Sequence, residues 1–447
     1  MRLKSIFLSL VLVTALCRPA GAVKVSIQGR LRLGIAWTDN ILSVPLTPTA
    51  VPPTSVAVVP QSDGYLEVVP SLILTLAQPR VVQSLTYTLT GDVYFQHSEA
   101  DSYLNHLEYN GFYTPSNRAE VTLTVSGSEG RLNAFSPSQL SDLGPVLQLR
   151  PGSLTYGAAA LREILLYELS QRWRLNQSLG FNAFIPIDSG QLSTTLAADQ
   201  QLGADFVQRK NAFGFALRVG YLAYLELRDI TGTVLSPTRQ QLLNSLIGRW
   251  RRDYGTQFAT ELAFGVVESN RAQGGGVTLW EPYALAAGRW FGERGLVELS
   301  YTHNVGPSAL TAQTYVADQV FLRVNVLLVK RSPLVASGAV GYQYGRVADV
   351  EQGQDLGRNH LVTLDANLTW NPHPSVGVFA RYTFFDQIGF SGDPVVLPET
   401  RKQIVMLGVI ATYPATAAAK VPSRQSLRVD RSDGETIPEA HTPTQEN

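Results

Sequence analysis

The chain has 447 residues, of which 16% are charged and 45% apolar, with 37 glycines and 25 prolines. Charge is scarce for a soluble protein of this size, where about a quarter of residues are ionisable. Lys plus Arg equal Asp plus Glu at 36 each, so no broad basic face is available to hold nucleic acid, and that partner class is excluded.

At the N-terminus, Arg2 and Lys4 precede an apolar run from Ile6 to Leu16, and Ala20-Gly21-Ala22 offers a small-residue cleavage site. This pattern predicts a cleaved export signal over residues 1–22. The run is too short to cross about 30 Å of hydrocarbon as a helix. Leu16 stands before Cys17 where a lipobox needs a small side chain, so lipidation is not expected. Cleavage removes Arg2, Lys4 and Arg18 from the 36 basic residues and leaves 33 against 36 acidic, a net charge of −3. It also removes Cys17, the single cysteine, and with it any disulfide. No later segment has the unbroken apolar length of a transmembrane helix. The expected destinations are the periplasm, the exterior or the outer membrane.

From Val23 to Thr38 the odd positions carry Val23, Val25, Ile27, Leu31, Leu33, Ile35 and Trp37, while the even positions carry Lys24, Ser26, Gln28, Arg30 and Arg32. This is the period of a strand with one greasy face and one wet face. The pattern recurs and predicts strands at 23–38, 65–77, 82–97, 105–114, 119–130, 159–172, 174–186, 196–209, 211–225, 240–251, 253–267, 277–290, 295–303, 316–329, 334–346, 359–371, 375–385 and 401–413. These eighteen strands fill over half of the expected mature chain, far above the share in an ordinary domain and normal for a transmembrane barrel. Tight turns such as Gln78-Pro79-Arg80, Thr114-Pro115-Ser116-Asn117, Lys330-Arg331-Ser332-Pro333 and Asn371-Pro372-His373-Pro374 alternate with longer loops. The alternation matches short periplasmic turns and long outer loops.

The fold class expected over residues 23–413 is therefore all-β, a closed antiparallel barrel in a bacterial outer membrane. An even strand count leaves both ends in the periplasm. Trp173, Trp250, Trp290 and Trp370 fall beside the short turns, and Trp37 and Trp280 near long loops, which predicts an aromatic girdle at the two interfaces. The proline-studded stretch from Asp39 to Gly64 reads as the first outer loop, and the polar segment 414–447 as a disordered periplasmic tail.

Because every backbone amide in lipid must be paired within the protein, the sheet must close with its apolar face outward. The opposite face carries Lys24, Arg30, Arg32, Asp92, Glu120, Arg218, Glu261, Glu298, Arg323, Asp365 and Arg381. These are the candidate pore-lining residues. Such charges need water or one another, and a barrel of this size encloses an aqueous bore. Their mixed signs predict weak ion selectivity and a hydrophilic solute as cargo. The long third outer loop, 131–156, either folds into the bore as a constriction or lies over the surface as a flap.

No catalytic constellation is visible. His97, His106, His303, His360, His373 and His441 fall in no metal-binding spacing, and no nucleophile elbow or phosphate loop occurs. His97 and His106 flank a short acidic hairpin tip, and Gly274-Gly275-Gly276 reads as a flexible one. No enzyme activity, metal or cofactor is expected.

Four short motifs carry a resemblance: Thr38-Asp39-Asn40-Ile41 ending the first strand, Val69-Pro70-Ser71-Leu72 in the second, Tyr94 with His106 across the acidic loop, and Ser116-Asn117-Arg118 leading into Val121 to Val125. Together they resemble outer-membrane β-barrel porins found with exopolysaccharide gene clusters of the Wzx/Wzy type, over roughly residues 23–135. The resemblance implies an exit pore for a secreted polysaccharide that works with a periplasmic polysaccharide export protein. The last strand, with Gly408 and Tyr413, resembles a barrel-assembly signal, although the tail departs from its usual terminal position. Two other readings stay open, a general diffusion porin and a plugged adhesin or scaffold barrel.

Overall fold

A computed structural model describes residues 23–43, 60–132, 154–187, 193–228, 234–236, 238–272, 278–308, 313–329, 333–349, 354–389 and 399–414. The expected export signal, most of the tail, the middle of the third outer loop and Gly274 to Gly276 lie outside the described residues. The first half of the barrel is built from β1 (Lys24–Thr38), β2 (Asp63–Gln78), β3 (Val81–Tyr94), β4 (Ser102–Ser116), β5 (Ala119–Leu132), β6 (Leu154–Glu168), β7 (Trp173–Pro186), β8 (Thr195–Gln208) and β9 (Asn211–Tyr224). A small hairpin of β10 (Leu227–Arg228) and β11 (Val234–Ser236) stands outside the main sheet. The second half follows with β12 (Arg239–Tyr254), β13 (Phe258–Arg271), β14 (Leu279–Gly292), β15 (Gly295–Ser308), β16 (Gln313–Leu327), β17 (Leu334–Asp349), β18 (Gln354–His373), β19 (Val376–Gly389) and β20 (Thr400–Tyr413).

Each barrel strand pairs antiparallel with its neighbours in the chain, and β20 closes the sheet on β1 with Arg30 opposite Thr412 and Ile35 opposite Leu407. The result is a closed 18-stranded antiparallel barrel. Closure leaves no free edge, as a sheet surrounded by hydrocarbon requires.

The two faces differ as the period-two pattern demands. Ile35, Phe264 and Leu407 are 64%, 64% and 63% exposed on the outside, and each is flanked along its strand by further outward apolar side chains. An apolar belt of this extent is stable only against lipid. The protein is an outer-membrane barrel. All six tryptophans share the outward positions, four beside the short turns and Trp37 and Trp280 at the other end.

Every expected strand forms, but several boundaries move. The fourth strand reaches back to Ser102, and the sixth spans 154–168 instead of 159–172. Ser170 explains the second shift: its Oγ accepts the N–H of Arg172 and of Trp173, at 3.3 and 3.1 Å, and turns the chain after Glu168. β18 runs through Asn371-Pro372-His373, with a register shift between Trp370 and His373 that accommodates the proline. The expected loop at 304–308 is strand, and so is 313–315.

Candidate functional site

Among the described residues the lumen is the large polar surface that the belt leaves inside the membrane. All eleven expected lining residues occupy inward positions: Lys24, Arg30 and Arg32 on β1, Asp92 on β3, Glu120 on β5, Arg218 on β9, Glu261 on β13, Glu298 on β15, Arg323 on β16, Asp365 on β18 and Arg381 on β19. Most are paired. Arg32 meets Glu67 at 2.8 Å, Arg218 meets Asp199 at 3.2 Å, and Arg381 Nε meets Asp365 at 2.9 Å. Asp92 accepts a 2.7 Å bond from Ser102. Arg289 bridges Glu298 at 3.0 Å and Glu261 at 3.5 Å.

Several inward charges escaped the sequence reading, among them Arg162, Arg289 and the pair Arg249–Asp205. Arg249 on β12 reaches Asp205 on β8 across the intervening β9, where Gly214 sits between them in register. A Cβ at Gly214 would lie 2.0 Å from Asp205 Oδ1, so the pair needs a residue without a side chain there. Inward register on β6, β8, β12 and β14 is the signal that finds these residues. Among the described residues Lys24, Arg30, Arg162 and Arg323 have no carboxylate partner, and Asp92 and Glu120 have no basic one. Unpaired lumen charge is thus mainly positive.

Two inward folds narrow the outer mouth. Beyond His303, β15 leaves β14 and continues only with β16. Val305, Thr314 and Val316 carry the outward register of this hairpin, set lower down by Tyr301 opposite Val320. Yet Val305 and Val316 pack against Val267, Leu243, Leu279 and Tyr283, which face inward from β12, β13 and β14. Thr314 Oγ1 likewise lies 3.0 Å from Gln241 Oε1 and 3.4 Å from Ser269 Oγ, both on the inner wall. Outward side chains can meet an inner wall only if the hairpin has passed inside it. The same displacement carries Arg346 on β17 to Glu281 on the inner wall of β14.

The second fold is the start of the first loop. Ile41, 1% exposed, packs on Tyr65, Tyr94, Phe379 and Met406. Its N–H donates to Gln61 O at 2.9 Å, and its carbonyl accepts a 3.2 Å bond from Lys402 Nζ. The second hairpin tip is likewise anchored and not a freely solvated turn. Asp63 accepts backbone N–H bonds from Gly64, Gln96 and His97 at 2.7, 3.0 and 3.0 Å, and a short 3-10 turn, Ser98–Ala100, buries Ala100. Among the described residues no group of three or more potential ligands is arranged for a metal. Whether loop 131–156 enters the bore falls on residues outside those described.

Two cavities open along the lumen wall. One of about 160 Å³ lies under the inserted hairpin, lined by Asn182, Asp199, Arg218, Ser245, Tyr283 and Asn304. A second of about 580 Å³ lies near the short turns, lined by Gln28, Arg30, Arg32, Asp365, Asn367 and Arg381. Both present hydrogen-bonding groups to a passing solute.

No protein-family model matches the chain, and no curated protein matches it. Among solved structures it is similar to OccK9 (OpdG) of Pseudomonas aeruginosa, at TM-score 0.44 and 11% identity over 87% of this chain and 98% of that one. OccAB3 of Acinetobacter baumannii gives TM-score 0.42 and 12% identity over 87% and 99%. The ferric citrate transporter FecA gives TM-score 0.37 and 13% identity over 85% of this chain, which spans 63% of that protein's length. The barrel itself rests on strand pairing and on the chemistry of its two faces.

Proposed function

We propose that the protein is a passive aqueous channel for hydrophilic carbohydrate, and that its cargo is a polysaccharide leaving the cell. One observation carries the channel reading: lumen carboxylates are mostly neutralised in pairs while Arg30, Arg162 and Arg323 keep free guanidinium groups. Such a wall favours neutral or acidic solutes, because spare guanidinium donors match hydroxyl and carboxylate oxygens and repel cations only weakly. Export is supported by the resemblance over residues 23–135, which also implies a periplasmic polysaccharide export protein as partner.

A general porin is the second reading. It is favoured by the inserted hairpin and the tucked Ile41 segment, which narrow the mouth toward small solutes. Planar-bilayer recordings across a KCl gradient test the channel: the expected result is open conductance with slight anion preference, lost on combining Arg30→Ser, Arg162→Ser and Arg323→Ser. A silent barrel overturns the channel reading in favour of the plugged adhesin or scaffold. Deletion of the gene separates the two cargoes, since extracellular polymer falls for an exit pore and is unchanged for a diffusion porin.

A further inference from the structure

Glu163, Gln177 and Gln200 lie on the adjacent strands β6, β7 and β8, and all three point out of the barrel. Their registers establish this. Glu163 is opposite Leu123 and Leu179, Gln177 is opposite Leu165 and Leu202, and Gln200 is opposite Leu179 and Val219. Directly opposed residues share a face, and Leu179, Leu202 and Val219 are 39%, 50% and 48% exposed on the outer surface. Glu163 and Gln200 are each diagonal to Gln177, so the three surround Leu179. On β6, Glu163 stands four residues inside the exposed ring of Tyr167 near the short turn. With the rise and tilt of a barrel strand, that is about 10 Å into the hydrocarbon layer.

Elsewhere at this depth the outer wall is apolar, as on β9 with Phe215, Leu217 and Val219. Nearer the outer loops some outward polar side chains pair with each other, as Asn105 does with the hydroxyl of Tyr87 and Gln403 with that of Tyr382. Among the described residues the side chains of Glu163, Gln177 and Gln200 make no hydrogen bond or ion pair. A carboxyl and two carboxamides facing lipid tails without partners are costly, because hydrocarbon offers neither donor nor acceptor.

We propose that the outer wall of β6–β8 is the contact surface between two copies of this chain, related by a two-fold axis along the membrane normal. The patch is complementary to itself. Glu163 supplies acceptors, and Gln177 and Gln200 supply N–H donors together with carbonyl acceptors. A two-fold axis along the normal preserves depth, and Gln177, four residues inside Trp173 as Glu163 is inside Tyr167, therefore comes to the level of the partner's carboxyl group, with Gln200 just above it. An isologous contact of this kind is the commonest way to close an oligomer. Leu175, Phe181, Leu202 and Leu217 form the apolar rim that excludes lipid from the bonded centre. A lipid tail in the same place leaves all three groups unsatisfied.

The test is oxidative cross-linking of Leu179→Cys in intact outer membranes, with Cys17 as the only other cysteine in the sequence. A disulfide-linked band containing two copies of this chain is expected. Adding Glu163→Leu, Gln177→Leu and Gln200→Leu lowers its yield about tenfold, a shift of about 1.4 kcal/mol in association. Heat-modifiable gel migration, which reports a folded barrel, is retained. Leu322→Cys on β16 stays monomeric. The inference is overturned by a monomeric Leu179→Cys, by a cross-link to another protein, by equal yield in the leucine variant, or by equal yield at residue 322.

Discussion

Thr314 Oγ1 donates a 3.0 Å hydrogen bond to Gln241 Oε1, although Thr314 belongs to the outward register of β16 and Gln241 to the inward register of β12. The bond exists because the β15–β16 hairpin has slipped inside the rim, and it seals that position together with Val316, which is 3% exposed. Thr314→Ala combined with Val316→Ala removes the bond and part of the apolar contact, about 1 kcal/mol each. The hairpin is then expected to undock for part of the time, raising mean single-channel conductance and adding gating events. Unchanged recordings would show that the hairpin does not limit flow.

The same hairpin depends on Gly345. A Cβ there would lie 1.8 Å from the Tyr315 hydroxyl. Tyr315 is fully buried, donates to Asn359 Oδ1 at 2.5 Å and accepts from Gln343 Nε2 at 3.0 Å. Gly345→Ala forces the ring off these partners at a cost of about 1–3 kcal/mol. Urea unfolding in lipid vesicles should register the loss, whereas Gly91→Ala, whose added methyl meets nothing within 4 Å, serves as the neutral control.

Arg289 holds two carboxylates, Glu298 at 3.0 Å and Glu261 at 3.5 Å. Arg289→Ala leaves both without that guanidinium in an aqueous bore and makes the lumen more negative. The reversal potential in a KCl gradient should move toward cations, and the shift should shrink as ionic strength rises and screening shortens. A shift toward anions, or none at low salt, would contradict the pairing.

Strand number and facing were legible because period two is local: along most strands outward Leu, Val and aromatic residues alternate with inward polar or small ones, and eighteen strands could be read from that rhythm and the turns between them. The hairpin insertion was not, because Asn304-Val305-Gly306-Pro307-Ser308 carries loop-forming residues and its strand character comes from pairing with β16. Ion-pair partners were illegible for a related reason. Which inward residues meet depends on register across strands, and Arg249 finds Asp205 only over Gly214. Glu163 is the instructive case: it interrupts the outward series Leu161, Leu165 and Tyr167, so periodicity exposes it as an exception, but only the joint register of three strands places it beside Gln177 and Gln200.

Leu322 and Arg323 are neighbours on β16 that face opposite solvents, Leu322 outward and 38% exposed to lipid, Arg323 inward beside the ring of Phe321. Leu322→Arg places a guanidinium in hydrocarbon and should cost about 2–4 kcal/mol of folding stability near the bilayer midplane. Arg323→Leu exchanges a charge in water for an apolar side chain in water. It should cost under about 1 kcal/mol while shifting ion preference toward cations, since one unpaired guanidinium is lost. The two substitutions therefore separate stability from conduction: the first moves the urea midpoint in vesicles, the second moves the reversal potential. If Arg323→Leu instead destabilised the barrel as strongly as Leu322→Arg, Arg323 would have to sit in a dry, packed interior, and an aqueous bore at that level would be ruled out.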